Sequence, residues 1–197
     1  MRKILLTTVL TFGLVGLTQF TTVRGDDKDK KDPEIVVPYV PTHEKVVTAM
    51  LKLASVKEGE TVYDLGCGDG RIVITAVKDF KAKKGLGIDF NPDRLKDCME
   101  RMKTEKLSKE EMGKLTFKQG DVLKMSPEDF KDVDVVTLYL LPEVNDRLKP
   151  VLQKGLKPGA RIVSHDFPMK DWEADKEEKV EANRTHTIYL WTIKENK

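Results

Sequence analysis

The sequence predicts an α/β fold: a mostly parallel, seven-stranded sheet with a C-terminal antiparallel hairpin. Three observations predict it. The β-like run Thr61-Val62-Tyr63 leads into Asp64-Leu65-Gly66-Cys67-Gly68-Asp69-Gly70 and then into the apolar Ile72-Val73-Ile74. That order reads as strand, glycine turn, helix. Downstream, short apolar runs alternate with helix-period segments, as a sheet covered on both faces requires. One of these runs, Val133 to Leu140, shows no strong alternation, the mark of a strand buried on both faces.

The elements follow in order. Pro38-Tyr39-Val40-Pro41 reads as an extended entry, because residues before proline avoid helix. Thr42 can cap a helix whose apolar residues are Val46, Val47, Met50, Leu51 and Ala54. After the turn Lys57-Glu58-Gly59-Glu60, the first strand is 61–65 and the next helix about 70–80. The second strand is 85–89. Asn91-Pro92 opens a helix to about Lys103, with proline at its first position. A short polar helix spans about 107–113, and the third strand is 115–119. After the fourth strand, 142–156 reads as a helix that Pro150 must kink or divide. The fifth strand is 160–164, and 179–182 with 186–193 form the closing hairpin.

Composition narrows the function classes. Of 197 residues, 39% are hydrophobic and 35% charged, which suits one globular domain plus an N-terminal appendage. The net charge is +2, but beyond residue 25 there are 32 basic against 33 acidic residues. Nothing there attracts nucleic acid. Cys67 and Cys98 are too few for a disulfide framework and read as two unpaired small residues. No His/Cys spacing suggests a metal site.

The appendage has its own signal. Arg2-Lys3 precedes the uncharged stretch Ile4 to Val23, and Val23-Arg24-Gly25 offers a cleavage site. Residues 1–25 are therefore expected to be a signal peptide or a membrane anchor, 26–37 a charged linker and 38–197 the folded domain. The expectation is an exported (periplasmic) protein, or one attached to the inner membrane through residues 4–23. A cytoplasmic location is the remaining alternative.

The glycine turn carries the chemistry. Glycines at alternate positions let the backbone approach a ligand where a Cβ would clash. Asp64, two residues before the first of them, would repel a pyrophosphate but suits a cationic amine. A dinucleotide fingerprint also needs a third glycine where Arg71 sits. Ligands of such sheets bind beyond the carboxyl ends of the strands, so the strand-end residues belong together. Asp89, 23 residues after Gly66, can accept both hydroxyls of a ribose, with Phe90 beside it. Asp121 can accept an exocyclic amine of adenine while Val122 packs the ring. Tyr139, Ser164, His165 and Asp166 end the later strands.

Asp-x-Gly-x-Gly-x-Gly over 64–70, then Gly87-Ile88-Asp89, then Gly120-Asp121-Val122, resembles the class I S-adenosylmethionine-dependent methyltransferases over roughly 38–193. The resemblance implies a Rossmann-like methyltransferase fold and S-adenosyl-L-methionine as cofactor. Pro38 to Thr42, Asp69 to Ile74, Leu140-Leu141-Pro142 and Phe167-Pro168 with Trp172 resemble a narrower group, the family of the ATP synthase c-subunit lysine methyltransferase. It implies N-methylation of a protein lysine, with Tyr39 and Thr42 covering the methionine end of the cofactor. The expected cofactor contacts are Tyr39, Thr42, Asp64, Gly66, Gly68, Asp89, Phe90, Asp121 and Val122.

Catalysis of this kind needs little covalent help. The nucleophile must be held in line with the methyl group. A lysine must first lose a proton, since its reference pKa is about 10.4. Tyr139, His165 and Asp166 are the candidate acceptors, directly or through water. The structural alternatives are core packing for Tyr139 and a simple strand-end hydrogen bond for His165. His43 and His186 read as surface or capping residues, Trp172 and Trp191 as packing. The alternative functions are a small-molecule or RNA methyltransferase, or an exported binding module without catalysis. Charge argues against RNA; the intact cofactor motifs argue against the idle module.

Overall fold

The computed structural model describes residues 39–195, so the expected leader or anchor over 1–25 and the expected charged linker over 26–37 lie wholly outside the described residues. The seven strands are β1 (Thr61–Leu65), β2 (Lys84–Asp89), β3 (Leu115–Gln119), β4 (Val135–Leu138), β5 (Arg161–His165), β6 (Lys176–Glu181) and β7 (Thr185–Thr192). They form one sheet in the order β3-β2-β1-β4-β5-β7-β6. The first five strands run parallel, and β7 pairs antiparallel with both β5 and β6. This is the mostly parallel sheet and closing hairpin that the alternation predicts. The order reverses beside β1, so ligand chemistry belongs above the carboxyl ends of β1 and its neighbours.

Both faces are covered. On one, α1 (Glu44–Leu53) and α2 (Arg71–Phe80) bury Val46, Met50, Leu51, Val73 and Val77 against Val62, Val135 and Val163. On the other, α5 (Pro142–Gly155) buries Val144, Leu148 and Leu152 against Leu65, Val136, Leu138 and Ile162. Neighbours in sequence thus face opposite cores, and the central strands read as unbroken apolar runs. α3 (Pro92–Thr104) and α4 (Lys109–Gly113) are capped by Asn91 and Ser108. Among the described residues, no helix is long and apolar enough to cross a membrane.

Four local expectations are corrected. The cap of α1 is His43, whose Nδ1 accepts from the Lys45 N–H; Thr42 is buried and points elsewhere. β4 spans only Val135–Leu138 of the predicted 133–140; on one side its partner β1 ends at Leu65, opposite Leu138. α5 runs unbroken through Pro150. That proline is exposed, so the carbonyl it leaves unpaired can meet water, while buried Leu148 and Leu152 hold the helix down. A proline inside a helix costs about 3 kcal/mol, comparable with burying two leucines at about 1.5–3 kcal/mol each. β6 starts at Lys176, three residues before the predicted strand, inside the charge-rich stretch 171–181. Its strand part, Lys176–Glu181, is an edge strand, and charge on an edge opposes pairing with another chain.

Trp191 is fully buried, and its indole N–H donates to the Trp172 carbonyl at 2.9 Å, so both tryptophans are packing residues. Trp191→Ala is expected to cost about 3–5 kcal/mol of stability, read as the shift in a denaturant midpoint. A loss under about 1 kcal/mol would show that the β5–β7 seam repacks freely.

Candidate active site above the central strands

The glycine turn leaves β1 with three left-handed residues, Gly66, Gly68 and Gly70, at φ 81°, 56° and 78°. A Cβ on Gly68 would lie 2.5 Å from Cε2 of Tyr39, so the Tyr39 ring sits directly over the turn. The Arg94 guanidinium covers that ring, 4.3 Å from its centroid. The Gly66 and Cys67 N–H groups both donate to the Ile88 carbonyl, at 2.8 and 3.0 Å. The turn is thereby fixed to the end of β2.

Asp64 is fully enclosed at the base of the turn, and the Thr137 hydroxyl donates to its Oδ1 at 2.7 Å. Burial pushes its carboxyl up to about 7, with Asp89 and Asp69 adding to the rise and Thr137 opposing it. A carboxyl balanced between its two protonation states is poised to ionise when a cation arrives. Asp89 accepts from the Gly68 N–H through Oδ2 and from the Asn91 N–H through Oδ1, both at 2.9 Å. Each oxygen keeps a further lone pair for a ligand. Phe90 next to it is 60% exposed, an apolar face largely open to solvent. Asp121 follows β3 by two residues and accepts from the Leu123 N–H at 3.0 Å, while Val122 is half-buried beside it.

Tyr139, His165 and Asp166 come together on the β4–β5 side. The Tyr139 and His165 rings lie 3.9 Å apart, centroid to centroid. The Tyr139 hydroxyl is 3.4 Å from Asp166 Oδ2. Arg184 grips the same carboxylate, and the Thr187 N–H donates to Oδ1 at 3.1 Å. Burial pushes the Asp166 carboxyl up, but Arg184 and Thr187 outweigh it and hold it below its ordinary value. His165 is fully buried, with Nδ1 3.1 Å from the Thr42 hydroxyl and Nε2 2.8 Å from His186 Nδ1. Burial lowers its pKa to about 4, aided by His186 and Arg184, so it is neutral at pH 7.

Several contributors escaped the sequence reading. His186 is buried against His165 and is not a surface residue. Thr137 and Arg184 had no motif to announce them. Arg71, noticed only as a missing glycine, ties Asp69 to the Thr42 carbonyl, which it meets at 2.7 Å. Cys67 and Cys98 are both free and buried; Cys98 Sγ meets the Gly68 carbonyl at 3.1 Å. Among the described residues, His165, Asp166 and His186 bring ligand-type atoms within 4.8 Å of one another, a group that sequence spacing conceals. Those atoms already serve one another and Arg184, and a cation there would have to displace that guanidinium.

The arrangement therefore offers a buried carboxyl for an ammonium, a strand-end carboxylate for a diol, an open apolar face for a ring, and a polar mouth at β4–β5. Residues 64–176 match the family described as the ANTKMT methyltransferase domain, more than half of the chain. The chain belongs to this methyltransferase family. A curated relative, the protein-lysine N-methyltransferase of Saccharolobus islandicus (strain REY15A), is 44% identical over 162 residues, 82% of this chain and 96% of that one. The human lysine N-methyltransferase of the ATP synthase c-subunit is 28% identical over 142 residues; the match takes in 72% of this chain and 57% of the human protein. Among solved structures, an RNA methyltransferase from Salinibacter ruber in complex with S-adenosyl-L-homocysteine is similar, with TM-score 0.70 and 43% identity. That match covers 80% of this chain and 95% of the other. The methyltransferase fold and family expected from the three glycine- and aspartate-bearing motifs are thus found.

Proposed function

We propose that this methyltransferase uses S-adenosyl-L-methionine to N-methylate a lysine side chain of a protein. The observation that carries it is the match to the Saccharolobus protein-lysine N-methyltransferase over 96% of that protein's length. The residues fit the cofactor. Asp64 takes the ammonium, Asp89 the ribose hydroxyls, and Asp121 with Val122 and Phe90 the adenine. Tyr39, on Gly68, and Thr42 close the methionine end. When bound, the cofactor supplies a methyl group already activated on a sulfonium. The chain's own work is positioning. The ribose and adenine contacts lie at β2 and β3, which turns the methyl toward the β4–β5 mouth and Tyr139. Tyr39, over Gly68, and Leu140, over Gly66, would frame a narrow slot that admits an aliphatic chain and favours its neutral amine.

The Salinibacter neighbour is called an RNA methyltransferase. Phosphate recognition needs a basic stripe, and beyond residue 25 this chain has 32 basic against 33 acidic residues. The deciding experiment treats an extract of a deletion strain with the enzyme and radiolabelled cofactor, then digests and fractionates it. Label on a lysine of one or a few proteins is expected. Label confined to RNA or small molecules rejects the lysine reading.

Two substitutions test the site. Asp89→Ala is expected to weaken S-adenosylhomocysteine binding about 10- to 100-fold, the worth of one or two hydrogen bonds to a charged acceptor. Titration calorimetry reads it, and an unchanged affinity would remove Asp89 from the ribose. Tyr39→Ala should cut turnover about tenfold or more while changing that affinity less, because it opens the slot and misplaces the acceptor. Equal losses in both would make Tyr39 a cofactor contact only.

A further inference from the structure

Three side chains converge where β5 meets β7. His165 ends β5, Asp166 follows it, and His186 lies near the start of β7. His165 Nε2 is 2.8 Å from His186 Nδ1, and Asp166 Oδ2 is 3.4 Å from the first and 3.8 Å from the second. Two neutral imidazoles at that spacing can share one proton, but neither ring makes a good hydrogen bond to the carboxylate at such distances. The three atoms are related in another way. A point equidistant from atoms so spaced lies about 2.0 Å from each, the length of a zinc–imidazole or zinc–carboxylate bond. The other polar atoms of the group are tied outward. Thr42 Oγ1 meets His165 Nδ1 at 3.1 Å, the Asn183 side-chain amide meets His186 Nε2 at 2.9 Å, and the Thr187 N–H donates to Asp166 Oδ1 at 3.1 Å. Bonds of this kind fix the rings and carboxylates of metal centres. Both histidine side chains are buried, and that of Asp166 is 14% exposed.

From this geometry we infer that His165 Nε2, His186 Nδ1 and Asp166 Oδ2 form a binding site for one divalent transition-metal ion, of which zinc is the type. Two imidazoles and one carboxylate select such an ion over magnesium or calcium, which take oxygen ligands. Three protein ligands leave one position of four to water. Arg184 grips Asp166 Oδ2, so the ion must displace it. That displacement asks little. The Arg184 side chain is 49% exposed, on the turn between β6 and β7, and its Nη1 also lies 3.4 Å from Oδ1. An exposed ion pair contributes little, and the guanidinium can release Oδ2 while it stays near Oδ1. The same exposed turn gives the ion its way in. Once bound, the ion clasps β5 to β7 beside the mouth. Through His165 it also holds Thr42, whose carbonyl Arg71 anchors from the other side. Its role is to position the lid, and the site stands whichever nucleophile the enzyme methylates.

The test uses the full chain without a histidine tag, stripped with a chelator and titrated with zinc chloride at pH 7. One ion per chain is expected, with a micromolar or tighter Kd and a higher Tm once loaded. Asp166→Asn and His186→Gln, checked for folding by their response to S-adenosylhomocysteine, should each weaken zinc binding more than about 10²-fold, beyond the loss of an outer contact. Arg184→Ala should tighten it about tenfold, because the guanidinium competes for Asp166 and repels the ion. A second readout needs no variant. In the wild type, loading should shift the imidazole nitrogen signals of His165 and His186 and leave those of His43 in place. Absence of binding at millimolar zinc overturns the site. So does binding that survives in both Asp166→Asn and His186→Gln, or that shifts His43 alone, which is an adventitious ion only.

Discussion

Affinity for S-adenosylhomocysteine is expected to rise about a hundredfold between pH 5 and 8, and Asp64→Asn is expected to flatten that rise. The cause is the carboxyl of Asp64, fully enclosed and pushed by burial up to about 7. Below that pH the cofactor's ammonium meets a neutral acid and must expel its proton, at a tenfold loss of affinity per unit. The rise levels off near pH 8, where the ligand's own α-amine begins to lose its proton. The sign for folding is the opposite. The folded value of about 7 lies above the ordinary 3.8. The unfolded chain therefore gives up the proton first, and cofactor-free stability falls as pH climbs from about 4 to 7. The total loss is about 4 kcal/mol. Cofactor binding offsets it by pairing the charge. At pH 8, Asp64→Asn should weaken binding about 10²- to 10³-fold, the scale of losing one partner of a buried ion pair. Titration calorimetry in buffers of different ionisation enthalpy reads both affinity and proton release. A wild-type affinity independent of pH from 5 to 8 would show that Asp64 does not hold the ammonium.

What could be read from the chain, and what could not, divides on locality. β1, the glycine turn and α2 are specified within twenty residues, and their periods agree with their turn chemistry. Asp64, Asp89 and Asp121 could be found because parallel strands place every strand end on one side. The partners of those residues were hidden, because a hydrogen bond across the sheet has no sequence period. Thr137 serves Asp64 from 73 positions away, and Thr42 meets His165 across 123. Thr42 has the residue type and position of a helix cap, and a local rule assigned it one. Its burial against His165 is a tertiary contact that such a rule cannot weigh. His186 misled for the same reason: polar and late in the chain, it lies beside His165 only because β7 inserts antiparallel to β5.

The second large effect is expected at Arg71, which the sequence marks only as an interruption of glycines. Its guanidinium meets Asp69 through Nη2 at 2.6 Å and Nε at 2.9 Å, and reaches the Thr42 carbonyl at 2.7 Å through Nη1. Arg101 shares Asp69, at 3.0 Å, and also grips Glu44 at the start of α1. Both arginines and Asp69 are more than four-fifths buried at their side chains. The cluster joins the glycine turn, α1, α3 and the lid segment. Burial pushes the Asp69 carboxyl up, but the Arg71 and Arg101 guanidiniums outweigh it and hold it below its ordinary value. The sign is thus opposite to that at Asp64. Asp69 stabilises the fold above its unfolded pKa, and the contribution is lost as pH falls through the depressed folded value. Arg71→Ala leaves the Thr42 carbonyl unpaired and Asp69 with one cation in place of two. The expected cost is about 2–4 kcal/mol, below the full value for a deeply buried pair because Arg101 remains. In a domain of this size that is a drop of about 5–15 °C in Tm. The lid loses its anchor as well, so turnover should fall more than S-adenosylhomocysteine affinity. Arg71→Lys should recover little, since an ammonium cannot bridge a carboxylate and a carbonyl with a planar fork. Calorimetric melting at pH 7 and at the acid end of the folded range separates the two contributions: the wild-type advantage over Arg71→Ala should shrink at the lower pH, as pH falls below the unfolded carboxyl value toward the depressed folded one. An advantage of equal size at both would mean that Arg71 stabilises the fold through the Thr42 carbonyl alone.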